Sequence, residues 1–142
     1  MSLKVFFDTN EVISLALERN SSHDILCKLF NDVIDKKFKG YVTGHSLTDF
    51  FYITRKEISK EDRHQFLLMI ANNFTILTEP NSAFLSVLNE PDFFDLEDGL
   101  QMQCAKDAVL DYIVTENVDD FRNSKVQALT AEEFNAMYKE FI

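Results

Sequence analysis

The sequence predicts an α/β fold built on a mainly parallel sheet of about five strands. Short apolar runs rich in aromatic and β-branched residues alternate with runs of helical periodicity along the whole chain. No low-complexity stretch, repeat or linker interrupts the 142 residues, so one domain over 1–142 is expected. Crossovers between parallel strands are expected to be right-handed.

The first strand is read over 3–8, "LKVFFD". Asn10 to Glu18 reads as a helix with Val12, Ile13, Ala16 and Leu17 on one face, and Ser22 to about Lys37 as a second, stopped by Gly40. A short strand over 41–44 and a helix over 45–57 follow. Ser59 caps the next helix, 74–78 alternates as a third strand, and Asn81 caps a helix over 82–89 that Pro91 closes. A helix from about Leu96 to Val109 leads into a strand over 111–115, and a shorter strand spans 126–130. Thr130 and Glu133 form a T-x-x-E capping box for the last helix.

Composition is that of an ordinary globular protein, 46% apolar and 27% charged, with fourteen Phe that read as core material. No apolar run approaches the roughly 20 residues of a membrane helix. "MSLKVFFD" carries no secretory signal pattern, so a cytoplasmic chain is expected. Cys27 and Cys104 read as small buried apolar residues, and His23, His45 and His64 as caps or surface residues rather than ligands. The net charge of −10 argues against broad nucleic-acid affinity. It leaves room for a nucleic-acid enzyme whose carboxylates hold a cation. No glycine-rich phosphate loop points to an NTPase or a dinucleotide enzyme.

In an open parallel sheet, ligands bind at the carboxyl ends of the strands. Four segments aim acids there. Asp8 ends the first strand, and a carboxylate at that position needs a helix N-terminus, a basic partner or a cation to stabilise it. Asp49 lies one turn into the helix after the second strand. Asp95 and Asp98, three apart, open the helix before the fourth strand, and Thr115, Asn117, Asp119 and Asp120 follow that strand. Taken singly, Asp95 reads as a cap, Asp49 as a solvated residue, and Asp119 and Asp120 as turn residues. Their convergence favours function. Crowded carboxylates repel, and a divalent cation removes the conflict. Oxygen ligands select Mg²⁺ or Mn²⁺, which suits phosphodiester hydrolysis.

The segments "VFFDTNEVISL", "YVTGHSLTDFFYI", "DLEDGLQMQCAKDAVLDYIVTENVDDF" and "VQALTAEEF", nearly the whole chain, resemble a PIN domain. The resemblance implies a Rossmann-like three-layer α/β/α sandwich and Mg²⁺- or Mn²⁺-dependent cleavage of single-stranded or structured RNA. It also implies a homodimer and, as in VapBC-type toxin–antitoxin pairs, an antitoxin protein as partner. Carried over, Asp8 is the first metal ligand and Asp98 the third acid, with Asp95 close by. Asp120 is the fourth acid, or else Asn117 holds that role. Asn10, Thr115 and Asn117 support ligands or substrate. The second acid, usually Glu, is here Asp49, one methylene shorter. Gly99 stands where similar sequences often have Ala, a replacement costing up to about 1 kcal/mol in a helix.

On this reading Asp8 and Asp98 hold the metal, and Asp49 and Asp120 complete the site or orient the attacking water. Arg55, Lys56 and Arg122, in or near the same segments, are candidate phosphate contacts. Two alternatives stand beside it. One is a PIN-fold module with weak or no catalysis that binds nucleic acid or protein, suggested by the acidic balance and the short Asp49. The other is a haloacid-dehalogenase-type phosphatase, which wants D-x-D where this chain has Asp8 and Asn10.

Overall fold

The computed structural model describes residues 2–18, 22–92 and 95–139. Five parallel strands, β1 (Lys4–Phe7), β2 (Lys39–Thr43), β3 (Thr75–Leu77), β4 (Tyr112–Val114) and β5 (Gln127–Leu129), form one sheet in the order β3-β2-β1-β4-β5. The chain moves outward from β1 in one direction and then returns to its other side, so the order reverses between β1 and β4. Open α/β sheets bind ligands at that crevice.

The helices are α1 (Thr9–Leu17), α2 (His23–Ile34), α3 (Gly44–Ile53), α4 (Lys60–Asn73), α5 (Asn81–Leu88), α6 (Leu96–Asp107) and α7 (Ala131–Tyr138), with a 3₁₀ turn at Val118–Phe121. Strand alternation sorts the core into two faces. Val5, Phe7, Val42 and Val114 face Val12, Leu29, Phe50, Ile70 and Phe134 of α1, α2, α3, α4 and α7. Phe6 and Ile113 point the other way, onto Ala105 of α6 and Phe121. Beyond α6, Leu100 packs on Ala83 and Val87 of α5. Much of the Phe content is core: Phe7, Phe30 and Phe74 form a ring cluster with centroids 4.8 to 5.9 Å apart. Among the described residues no helix is long and apolar enough to cross a membrane.

Several boundaries differ from the sequence reading. The second helix stops at Ile34, because Lys36 turns left-handed (φ 63°) and reverses the chain. Gly40 lies inside β2 rather than at a helix end. A Cβ there would sit 2.5 Å from the Phe74 ring, so the residue is small because the ring cluster leans on the strand. The third helix ends at Ile53, where the Thr54 hydroxyl donates back to the Phe50 carbonyl at 2.7 Å. Pro80, not Asn81, occupies the cap position of α5. Gly99 has the same explanation as Gly40: a Cβ would lie 2.7 Å from Val87 Cγ1, so α5 approaches α6 closely only over glycine. Cys104 is buried, whereas Cys27 is half-buried with Sγ 3.6 Å from His23 Nε2. The Ser59 cap and the Thr130–Glu133 capping box form as read.

Candidate active site

Asp8 lies at the crevice between β1 and β4. It occupies the cap position of α1 without a side-chain capping bond, and it is 2% exposed. Oδ1 accepts from Gln101 Nε2 and Oδ2 from the Thr115 hydroxyl, both at 2.9 Å. Thr115 Oγ1 in turn accepts from the Asn117 amide at 3.0 Å, which ties the loop after β4 to the carboxylate. Burial raises the Asp8 pKa against these hydrogen bonds and the Thr9 and Asn10 amides.

Gln101 went unnoticed in the sequence. It is 1% exposed, and its Oε1 accepts from the Thr9 amide at 3.0 Å and the Thr9 hydroxyl at 3.2 Å. Thr9 Oγ1 contacts Ser46 Oγ, which lies 3.0 Å from Thr43 Oγ1. A chain of buried polar groups thus links β2, α1 and α6 to Asp8. Its sequence signal was a polar residue within the inward-facing stripe of Leu100, Cys104 and Ala105.

Asp98 is pushed up to about 7, first by burial and then by Asp8, Asp95, Asp120 and Glu97. Asp8, Asp95 and Asp120 are thus near enough to Asp98 to act on its charge, and Asp95, Asp98 and Asp120 line one groove. Asp95 also caps α6, with Oδ1 accepting from the Asp98 amide at 2.9 Å. Asp120 is exposed in the 3₁₀ turn, and Asn10 and Asn117 are exposed beside their segments. Among the described residues no Lys or Arg pairs with any of these carboxylates within 4.0 Å.

Asp49 is not among the acids that act on Asp98; its neighbours are His45 and Glu97. Its Oδ2 lies 3.1 Å from His45 Nε2, and that nitrogen is 3.6 Å from Glu97 Oε2. His45, read as a cap or surface residue, is half-exposed but belongs to this edge. Only the folded contact of α3 with α6 shows it. Burial raises the Glu97 pKa; a Thr9 hydrogen bond opposes this, Asp49 adds to it, and His45 then opposes.

Asp95, Asp98 and Asp120 open onto a groove of about 810 Å³, which Lys106, Arg122 and Lys125 also line. Of the three bases named from sequence, Arg122 reaches this groove. Arg55 and Lys56 do not line it; the Arg55 guanidinium lies 3.8 Å over the Tyr52 ring and donates to the Tyr52 carbonyl. Lys106 and Lys125 carried no sequence signal beyond their charge.

A family model described as a PIN domain matches residues 4–119. The chain belongs to the PIN domain family. No curated relative matches it in sequence. This PIN domain is similar in fold to VapBC2 from Rickettsia felis bound to a promoter DNA fragment. That likeness has 15% identity and a TM-score of 0.68, and covers 90% of this chain and 98% of the other. VapC20 of Mycobacterium tuberculosis, described as a sarcin–ricin loop cleaving toxin, matches at 9% identity and TM-score 0.66, covering 86% and 95%. A toxin–antitoxin complex from Klebsiella pneumoniae matches at 17% and 0.65, covering 89% and 97%. The α/β sheet order and the helices on both faces are those of the PIN fold.

The donor set of this PIN domain fits a hard divalent cation. Asp8, Asp98 and Asp120 offer carboxylate oxygens from three segments; burial and then the neighbouring acids raise the Asp98 pKa, and among the described residues no Lys or Arg lies within 4.0 Å of these carboxylates. Thr115 and Gln101 orient Asp8 as supporting residues around metal ligands do.

Proposed function

We propose that this PIN domain is a Mg²⁺- or Mn²⁺-dependent endoribonuclease and the toxin of a toxin–antitoxin pair. The observation that carries the reading is that Asp8, Asp95 and Asp120 all act on the charge of Asp98 while, among the described residues, no Lys or Arg lies within 4.0 Å of any of the four carboxylates. A cation held there would polarise the scissile phosphate and lower the pKa of an attacking water. Asp8 and Asp98 would hold it, with Asp120 completing the set and Thr115 and Gln101 fixing the Asp8 carboxylate. Asp49, which is not among the acids acting on Asp98, would complete the site through a neighbour or orient the water. The complexes among the structural neighbours support an antitoxin partner.

The test is hydrolysis of single-stranded RNA by the full chain. Cleavage is expected with Mg²⁺ or Mn²⁺ and none in EDTA, and expression is expected to arrest growth until the product of an adjacent short reading frame is supplied. Cleavage that persists in EDTA sinks the metal-dependent reading.

The groove supports a path for the RNA backbone. Lys106, Arg122 and Lys125 line it, and among the described residues none has an acidic partner within 4.0 Å. Unpaired bases lining the same groove as the carboxylates are placed for phosphates beside the scissile one. In an Asp8→Asn background, changing all three to Gln is expected to flatten the slope of log K against log salt by about 2, since each single-strand phosphate contact contributes about 0.7. Fluorescence anisotropy over a salt series reads this. An unchanged slope removes these residues from the path.

A further inference from the structure

We propose that Thr9 is a positioning residue of the acid site: its hydroxyl, at the end of a one-way chain of hydroxyls from the start of α3, sets the Gln101 amide that holds the Asp8 carboxylate. The inference deepens the nuclease reading above and rests on it for the use of Asp8 in cleavage; the hydrogen-bond arrangement does not.

Burial makes the proton accounting strict. Thr43, Ser46, Thr9 and Gln101 are 1%, 0%, 3% and 1% exposed, so bulk solvent does not complete a missing bond. The Thr9 hydroxyl has one proton and three oxygen neighbours: Gln101 Oε1 at 3.2 Å, the Glu97 carboxylate and Ser46 Oγ. The amide oxygen and the carboxylate only accept. Thr9 therefore donates to one of them, and the Ser46 hydroxyl donates to Thr9. With its proton spent, Ser46 accepts from the Thr43 hydroxyl at 3.0 Å, while Thr43 Oγ1 accepts from the Ser46 amide at 3.2 Å. The protons thus run one way, from Thr43 at the cap of α3 through Ser46 and Thr9 to α6. Hydroxyls aligned head to tail polarise one another and strengthen the bond at the end of the chain.

Gln101 is what that end controls. Its oxygen accepts from the Thr9 amide at 3.0 Å and from the Thr9 hydroxyl, and its nitrogen donates to Asp8 Oδ1 at 2.9 Å. Turned over, the side chain would set its oxygen against the Asp8 carboxylate and its own N–H groups against the Thr9 amide. Thr9 therefore selects, from the end away from Asp8, the orientation that gives Asp8 a donor. Packing alone does not ask for these groups. Val has the shape of Thr, and burying a hydroxyl costs free energy unless it is bonded.

Mn²⁺ titration calorimetry on the full chain tests this with Thr9→Val, Gln101→Met and the double variant. Thr9→Val is expected to weaken Mn²⁺ binding about tenfold and Gln101→Met at least as much, the scale of losing a residue that orients a metal ligand. The double variant is expected to match Gln101→Met within about twofold, because Thr9 acts through Gln101. Thr9→Ser, which keeps the hydroxyl, is expected to recover most of the loss. In the metal-free protein the Gln101 side-chain amide resonances are assigned by their disappearance in Gln101→Met. They are expected to exchange with solvent at least about tenfold faster in Thr9→Val, while the backbone amides of β1 and β4 keep their protection. Ser46→Ala is a second variant with the same expected direction, and near-UV circular dichroism shows that each keeps its fold. A Thr9→Val chain that binds Mn²⁺ like its parent, losses that multiply in the double variant, or a Thr9→Ser chain as weak as Thr9→Val overturns the proposal. Affinities in this pattern without RNA cleavage would sink the nuclease reading alone. Mn²⁺-dependent cleavage with Thr9→Val at the parent's affinity would sink the positioning role alone.

Discussion

Asp8→Asn is expected to lower metal-dependent RNA cleavage at least about a hundredfold, the scale of losing one charge-stabilising group from an active site, while the metal-free protein keeps or gains stability. The two halves have one cause. Asp8 is buried, and its charge raises the pKa values of Glu11, Glu97 and Asp98. Asn preserves the shape. Its oxygen can accept from Gln101 Nε2, and its amide can donate to Thr115 Oγ1, which keeps a lone pair beyond the Asn117 amide. What disappears is a buried negative charge and its repulsion. The unfolding midpoint in EDTA is therefore expected to hold or rise, by up to about 2 kcal/mol or several degrees. Saturating Mn²⁺ should reverse the order, because only the parent gains the stabilisation that tight ion binding confers, about 2.7 kcal/mol at a hundredfold excess over Kd. Thermal unfolding with EDTA and with Mn²⁺, beside a cleavage assay, reads both halves. A variant that cleaves like its parent, or that loses several kcal/mol in EDTA, would make Asp8 a structural residue.

The same physics explains what the sequence could and could not disclose. The strands were legible because a parallel sheet buried on both faces needs continuous apolar runs, and "KVFF" and "YIV" are such runs. Asp8 was legible because a carboxylate directly after a buried strand is costly wherever it goes. Helix ends were less so, since Gly40 and Gly99 carry the same letter as a stop signal but answer to the Phe74 ring and to Val87. Gln101 hid because a polar residue in an apolar stripe has no local partner; its partners, Thr9 and Asp8, lie more than ninety positions away. His45 and Glu97 hid for a related reason. Glu97 adjoins Asp98, and one residue of helix turns it by about 100°, toward Thr9 and Asp49 rather than the groove. A motif spacing describes one segment, whereas these contacts form between segments.

Glu11 makes a second expectation, in stability rather than activity. It is fully buried in the first turn of α1, and among the described residues neither carboxylate oxygen has a well-formed hydrogen bond. Burial first, then Glu116 and Asp8, push its pKa from 4.5 to about 8, against a smaller pull from the Glu116 amide. At neutral pH the native chain therefore holds a proton there that the unfolded chain releases. Between about pH 4.5 and pH 8 the folded state binds more protons at this site, so its stability falls as pH rises, by about 1.4 kcal/mol per unit. The contribution is fully present below pH 4.5 and lost by about pH 8, on the order of 5 kcal/mol across the window. Gln has the shape of the protonated acid and does not titrate. Glu11→Gln is thus expected to match its parent near pH 5 and to exceed it increasingly up to pH 8.5, by a few kcal/mol and roughly 5–10 °C in midpoint. Asp98, Glu97 and Asp8 titrate in both proteins, so the difference between the two pH profiles isolates Glu11. Urea unfolding from pH 5 to 8.5 in EDTA measures that difference. A gap that does not change with pH would mean that Glu11 is ionised in the folded chain and that a partner stabilises its charge.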